Sequence, residues 1–235
     1  MRYRTILLRK IKYSDRSLII QTYSREEGNK SFFLGSQHLK GKGRTPMHAL
    51  SILDIVAKSG KGKLPYVTEV YNSSPFVSVL EDFHKSAILM FTNEVLLKCL
   101  ADYQEDPELF DFVESALVEF DKSAENHDFH LQLMIGLSRK LGFSPRGDYS
   151  SETPYFDLIE GHFSTDQPLH NHFLEGDESR IFSEMLNESS NWSLAEERNN
   201  SQRRRLLTAL LDYFRIHIAG FHELKSREVL ETIMR

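Results

Sequence analysis

The chain has 235 residues, of which 40% are hydrophobic and 27% are charged. This composition is that of a globular protein with a sizeable core, and it excludes disordered and collagen-like chains. The formal net charge of −5 hides an asymmetry: residues 1–80 hold 14 Lys and Arg against 5 Asp and Glu, whereas the remaining residues hold 15 against 29. A basic first third joined to an acidic remainder predicts a polyanionic partner for the N-terminal part.

Cys99 is the single cysteine, so the chain has no internal disulfide and no thiolate zinc knuckle, which suits a reducing compartment. Near the N-terminus, the apolar run Ile6 to Leu8 ends at Arg9 and is too short for the core of a secretion signal. No stretch approaches the roughly 18 apolar residues of a membrane helix. We therefore predict a cytoplasmic protein without a membrane partner.

The first 71 residues have the pattern of short strands rather than helices. Runs rich in Ile, Leu, Val, Tyr and Thr predict strands over 3–13, 17–23, 31–34, 49–57 and 64–71. Their connections contain glycine, and no helical period intervenes. Five short strands in so few residues predict a Greek-key barrel of the OB type, which forms an N-terminal nucleic-acid-binding domain over 1–78.

After Pro75 the apolar residues recur at steps of three and four, which is typical of helices with one buried face. The pattern predicts helices over 80–103, 107–120, 129–141, 180–186, 203–217 and 226–234. Asp106 is expected to cap the second helix, with Pro107 at its first position. An irregular insert at about 143–176 carries a predicted small hairpin, 155–159 with 162–164. The fold class is therefore α+β and multidomain, with a helical domain over 79–235.

The cations of the N-terminal part are the main candidate binding residues. They are Arg2, Arg4, Arg9, Lys10, Lys12, Arg16, Lys40, Lys42, Arg44, Lys58, Lys61 and Lys63. On an OB barrel such cations can follow a phosphate chain, while exposed rings among Tyr3, Tyr13, Tyr23, Phe32, Phe33, Tyr66 and Tyr71 stack on bases. The alternative interpretation is that the cations are solvated strand faces and the rings fill the core.

Two further segments carry candidate residues. The stretch 35–45 is rich in glycine and cations, but its spacing is wrong for a P-loop, and Gly43 stands where Ser or Thr should be. It predicts a basic loop that approaches a sugar-phosphate chain rather than a nucleotide-hydrolysing site. Arg203, Arg204 and Arg205 open a helix in an acidic region, against the helix dipole, so they are candidates for docking an acidic protein partner or for pairing with local carboxylates.

Several segments of the sequence resemble the RecO family of bacterial recombination mediators, in particular the Bacteroidetes type. They are Arg4-Thr5-Ile6-Leu7-Leu8, the turn at Gly28 before Lys30-Ser31-Phe32, Leu141-Gly142-Phe143-Ser144-Pro145, Tyr213-Phe214-Arg215-Ile216-His217 and Leu224-Lys225-Ser226-Arg227-Glu228. The last two segments belong to the tail, which is the most specific part of the resemblance.

The resemblance implies an OB domain and a helical domain that act without ATP or another cofactor and not as an enzyme. Family members bind single- and double-stranded DNA, anneal complementary strands in DNA repair, engage the acidic C-terminal tail of single-strand-binding protein and, with RecR, help to load the recombinase. Many relatives carry a four-cysteine zinc module after the segment matching 141–145. Residues 146–176 contain no cysteine here, so no zinc role is carried over.

Three other functions stay open from the residues. An RNA-binding OB protein would use the same cations and rings. A metal-dependent nuclease would use His162, His170 and His172, although their spacing matches no recognised metal motif. An adaptor would bind proteins through its acidic part alone.

Overall fold

The computed structural model describes residues 1–39, 45–59, 64–74, 76–123, 126–188 and 198–233. The chain divides into two compact units, a first unit over Met1–Lys122 and a second unit over Ser123–Arg235. The first unit keeps three helices together with the barrel. Strands give way to helices between Asn72 and Ser78, and the domains predicted over 1–78 and 79–235 stay a prediction.

The strands of the first unit form a closed five-stranded barrel. They are β1 Arg2–Ser14, β2 Ser17–Ser24, β3 Gly28–Gly35, β4 Ile52–Lys58 and β5 Tyr66–Asn72. Around the barrel the order is β1-β2-β3-β5-β4, and β4 closes on β1. All neighbours are antiparallel except β3 and β5. The predicted five-stranded OB barrel and the α+β class are therefore confirmed.

Alternating side chains of the strands fill the barrel. The core consists of Tyr3, Leu7, Ile20, Phe32, Leu34, Met47, Leu53, Ile55, Ala57, Val67 and Val70. Because successive side chains of a strand point to opposite faces, burying this set directs the alternate residues outward. The residues that face away from the core are the ones available for contact with a ligand.

Two predicted strand limits are wrong at turns. The β2–β3 hairpin closes with Ser24 opposite Gly28, so β3 begins at Gly28 rather than Ser31. Strand β4 begins at Ile52 rather than residue 49, because Leu50 has a φ of +63° and Ser51 closes a turn onto the His48 carbonyl. Extended backbone cannot include a residue in the left-handed region.

Helices complete the first unit: α1 Ser78–Glu81, α2 Phe83–Cys99 and α3 Pro107–Lys122. The single helix predicted over 80–103 is wrong in two respects: it ends at Cys99, and it is interrupted at Asp82. Asp82 has extended backbone angles and its side chain accepts a hydrogen bond from the Lys85 amide, so it ends α1 and caps α2. The predicted cap at Asp106 is confirmed, because its Oδ1 accepts from the Leu109 amide at 2.9 Å.

The second unit combines helices with a small sheet. Its helices are α4 Phe129–Lys140, α5 Gly176–Glu188, α6 Asn200–His217 and α7 Arg227–Ile233. Strands β6 Tyr155–Asp157 and β7 His162–Ser164 form the predicted hairpin, and β8 Phe173–Leu174 adds a third strand beside β6. Within the described ranges, no helix has the length and apolar character needed to cross a membrane.

Candidate nucleic-acid interface

Strand β1 continues beyond the barrel core as an exposed basic arm. Every residue from Arg9 to Arg16 is exposed, whereas Thr5 to Leu8 are buried. The arm stays hydrogen-bonded to β2, with Arg9 opposite Gln21 and Lys12 opposite Leu18. Two register shifts, one after Leu7 and one after Lys12, bend it locally. We call residues 9–16 the basic arm; it holds four of the predicted cations.

The cations of the basic arm are largely free of carboxylates. Among the residues that the structure describes, the Arg9 and Arg16 side chains make no ion pair. Lys12 lies 2.8 Å from Asp15, and both side chains are mostly exposed to solvent. The Nζ of Lys10 donates to the Met47 carbonyl at 2.8 Å. Exposed pairs of this kind contribute little, so the arm keeps most of its positive potential.

The predicted cations at the start of β1 have a different environment. Arg4 contacts Asp54 at 2.8 Å and Glu114 at 2.7 Å, and it also donates to the Ser73 hydroxyl. Burial opposes the charge of Arg4, but the two carboxylates outweigh it and raise the pKa of its guanidinium. Arg2 is exposed beside a pocket of about 420 Å³ that Glu26, Asp54 and Glu69 also line. Carboxylates therefore balance this end of the barrel.

The other predicted cations lie in two connections of the barrel. Lys58 is exposed at the end of β4, just before the connection to β5. Five more predicted cations lie outside the described residues: Lys40, Lys42, Arg44, Lys61 and Lys63.

A row of apolar and aromatic side chains crosses the outer face of the barrel next to the basic arm. The strand registers place Ile11 opposite Ile19, Ile19 opposite Phe33, and Phe33 opposite Tyr66, so these side chains share one face. The Tyr13 ring packs at 5.6 Å against Phe33, edge to face, and Phe33 stacks on Tyr66 at 5.8 Å. We call Tyr13, Phe33 and Tyr66 the ring row.

The remaining predicted rings divide into buried and exposed ones. Tyr3, Tyr23 and Phe32 are at most 5% exposed, so they are core residues. Tyr71 is 60% exposed, close to the 67% of Tyr13, but its hydroxyl donates to Glu69 in the acid-lined region. The strand alternation of Phe32 and Phe33 is a signal that separates the buried ring from the accessible one.

In the second unit, the three arginines predicted to dock a protein partner differ from one another. Nε of Arg203 donates to the buried Asp128 carboxylate at 2.6 Å. Arg204 and Arg205 are exposed on α6, and Arg205 lies 3.5 Å from Glu178. Between α5 and α6 lies a pocket of about 220 Å³, lined by both polar and apolar side chains: Leu174, Asp177, Glu178, Ile181, Asn199, Ser201, Gln202, Arg205, Leu206 and Ala209.

The histidines of the alternative metal site make hydrogen bonds within the insert. Nε2 of His170 lies 3.2 Å from Oδ2 of Asp157, and the His172 amide donates to Nδ1 of His170. His162 contacts the Glu160 carbonyl oxygen at 3.5 Å through Nδ1. The described part of the chain contains no group of three His, Cys, Asp or Glu side chains placed to hold a metal ion. The metal-dependent nuclease therefore gains no support from the placement of these residues.

Comparison with known proteins gives one consistent family. The profile of the family described as "Recombination protein O C terminal" matches residues 80–228. The curated protein "DNA repair protein RecO" of Azobacteroides pseudotrichonymphae is 30% identical over 99% of this chain and 99% of its own length. Proteins of the same name are 31% identical in Flavobacterium psychrophilum and 30% identical in Flavobacterium johnsoniae, each over 98% of this chain and 97% of its own length.

Proposed function

The chain belongs to the RecO family, whose relatives act in DNA repair, and from this premise we propose that it binds DNA and anneals complementary strands. The proposal includes helping to load a recombinase onto single-stranded DNA that single-strand-binding protein coats. RecR is the proposed partner in that step. The resemblance of the sequence to the family supports these finer activities.

The observation that carries the proposal is the basic arm on a closed OB barrel. Arg9, Lys12 and Arg16 are exposed, and within the described part of the chain they have no buried acidic partner. Cations of this kind release the counterions of a phosphate chain, so they supply affinity that does not depend on base sequence. The proposed DNA-binding set also keeps Lys58 and the cations of the two connections, Lys40, Lys42, Arg44, Lys61 and Lys63. Arg2 and Arg4 are weaker contributors, because carboxylates surround them.

Annealing by such a surface follows from electrostatics alone. Two DNA strands repel each other through their phosphates, and a basic surface lowers that repulsion while both are bound. Base pairing and stacking then supply about 1.4 kcal/mol per base-pair step, so no nucleotide hydrolysis is needed. The protein therefore acts as a binding surface rather than as an enzyme.

The second unit supplies the proposed contact with single-strand-binding protein. The acidic C-terminal tail of that partner needs cations for its carboxylates and an apolar recess for its hydrophobic residues. The pocket between α5 and α6 offers Leu174, Ile181 and Leu206 beside Arg205, and Arg204 lies in an adjoining groove. Arg203 stabilises the start of α6 through its hydrogen bond to Asp128, so we assign it a structural role rather than a role in docking the tail.

DNA binding is tested by titrating single-stranded and duplex oligonucleotides at several salt concentrations. Replacing Arg9, Lys12 and Arg16 by Glu is expected to weaken binding to every sequence alike and to reduce the magnitude of the salt slope by about 2 for single strands and about 3 for duplex. The control variant replaces Lys122, Arg180 and Arg215 by Glu, which changes the net charge equally at three ion-paired cations that are not part of the arm. Equal effects of the two variants would contradict a specific role for the arm.

Annealing is tested with complementary labelled strands coated with single-strand-binding protein. The wild-type protein is expected to accelerate duplex formation without a nucleotide, and the arm variant is expected to lose this acceleration. Replacing Arg204 and Arg205 by Ala is expected to weaken binding of an acidic tail peptide while DNA affinity stays unchanged. A shortened DNA substrate in the presence of Mg²⁺, Mn²⁺ or Zn²⁺ would instead support the nuclease. An affinity for RNA strands above that for DNA would support the RNA-binding alternative.

A further inference from the structure

We propose that the ring row receives unpaired bases and sets a preference of this protein for single-stranded over duplex DNA. The inference rests on the proposed DNA binding, but it assigns a different task to different residues. In this division of tasks, the basic arm provides affinity for any polynucleotide. The ring row provides discrimination between unpaired and paired bases.

The strand registers place rings and cations on one face. Ile19, Phe33 and Tyr66 stand directly across from one another on β2, β3 and β5. One step along the same face, Arg9 lies opposite Gln21, and Gln21 lies opposite Ser31. A strand whose bases lie on the rings therefore has a cation beside its phosphates. Such a pairing of aromatic platform and basic flank is what single-strand binding requires.

Tyr13 is the accessible member of the ring row. It is 67% exposed, although its ring is held at 5.6 Å against Phe33. Phe33 and Tyr66 are half-buried and stack on each other with their planes 28° apart. Contact with Phe33 limits the motion of the Tyr13 ring, so less freedom is lost when a base stacks on it. Without DNA, the Tyr13 ring is therefore an aromatic surface that is exposed to solvent but already fixed in position.

The chemistry of the ring row favours unpaired bases because a ring needs the face of a base. In a duplex, neighbouring base pairs cover those faces, and exposing one costs a few kcal/mol. In a single strand the faces are accessible, and every base offers one, so stacking does not depend on sequence. A duplex can still contact Arg9 and Arg16 through its phosphates. The cations alone therefore bind both forms, and the rings add affinity for only one.

The test compares three variants of the full chain. Tyr13→Ala removes the accessible ring, and Tyr13→Phe keeps the ring without the hydroxyl. Tyr71→Ala removes a tyrosine of similar exposure on the same barrel, in the acid-lined region beside Glu69. Affinities are measured for an oligothymidine and for a duplex of equal length, each across a range of salt. A single-stranded probe that contains 2-aminopurine reports stacking directly through the loss of its fluorescence.

Tyr13→Ala is expected to weaken single-strand binding roughly tenfold and to abolish most of the 2-aminopurine quenching. The affinity for the duplex and the salt slope stay at wild-type values, because an uncharged ring displaces no counterions. Tyr13→Phe and Tyr71→Ala behave as the wild type does.

Two outcomes would overturn the inference. In the first, Tyr13→Ala leaves the ratio of single-strand to duplex affinity unchanged. In the second, Tyr71→Ala changes this ratio as much as Tyr13→Ala does. In either case the ring row does not read unpaired bases, while salt-dependent DNA binding by the wild type still supports the proposed function. A wild-type protein that binds neither form at low salt contradicts the proposed function itself.

Discussion

Nε of Arg203 donates a 2.6 Å hydrogen bond to Oδ1 of Asp128, and the Asp128 side chain is fully buried. Arg198 contacts the other oxygen, Oδ2, at 3.0 Å. The Asp128 carboxylate, directly before α4, therefore binds both arginines at the start of α6. Arg203 is held in this position by the fold, whereas its neighbours Arg204 and Arg205 extend into solvent.

Replacing Asp128 by Ala is expected to destabilise the second unit by about 3–5 kcal/mol, because it leaves the buried Arg198 and the partly buried Arg203 without this carboxylate. Chemical denaturation of the full chain measures the loss. Asp212→Ala is the matched control, since Asp212 pairs with Arg215 on the surface and its removal costs less than about 1 kcal/mol. Similar losses of unfolding free energy in the two variants would show that the Asp128 ion pairs stabilise the protein no more than an exposed pair does.

His130, in the first turn of α4 and close to Asp128, gives the second unit an expected acid sensitivity. Burial lowers the pKa of His130 to about 4; Asp128 raises it, and Arg203 and His127 lower it further. The unfolded chain takes up the proton near pH 6.5, but the folded chain does not until about pH 4. The contribution of neutral His130 to the free energy of unfolding is therefore fully present above pH 6.5. It decreases as the pH falls, and the loss reaches roughly 3 kcal/mol once the pH lies below both pKa values.

The measurement is the unfolding free energy of wild type and His130→Gln between pH 7 and pH 4. The variant is expected to have a shallower slope in this range, whatever its stability at pH 7. His222→Gln alters an exposed histidine and should keep the wild-type slope. Parallel curves for wild type and His130→Gln would assign the acid sensitivity to other groups.

The barrel could be predicted from the sequence because strand propensity and glycine-containing turns are local signals. The environment of the cations could not, because it depends on residues far along the chain. Glu114, which balances Arg4, is 110 residues away, and Asp128 is 75 residues from Arg203. No local pattern distinguishes these arginines from Arg9, which makes no ion pair with any carboxylate that the structure describes.

The accessible rings show the same limit in a different form. Phe32 and Phe33 could be separated by the alternation of a strand, since only Phe32 shares a face with the buried Ile20. Tyr23 could not be assigned in this way. It is fully buried because its ring stacks on Phe110 of α3, at 6.2 Å, and the sequence does not indicate which helix covers that end of the barrel.

Asp157 organises the insert of the second unit, which suggests a test of the histidines there. Its Oδ1 accepts from the amides of Ile159 and Glu160, and its Oδ2 contacts His170. Asp157→Ala is expected to cost about 2 kcal/mol, since it removes hydrogen bonds to a charged group. Added Zn²⁺ is expected to leave the melting temperature of the wild type unchanged, because a ligand stabilises only a state that binds it. A rise with Zn²⁺ that His170→Ala abolishes would establish a metal site instead.

Gly28 provides a strict test of how the barrel contacts the α2–α3 connection within the first unit. Its φ is +68°, and a Cβ added to it would lie 2.4 Å from the backbone carbon of Gln104. An alanine there combines the left-handed conformation with a collision against main chain that cannot rotate away, so Gly28→Ala is expected to destabilise the first unit by about 3 kcal/mol or more. Gly220 is the matched control, because its φ is +80° but no atom of the described residues lies within 4 Å of its added Cβ. Gly220→Ala therefore costs only the conformational part, about 1–2 kcal/mol. Thermal unfolding of the two variants separates strain from collision, and equal shifts would mean that the contact between Gly28 and Gln104 adds nothing.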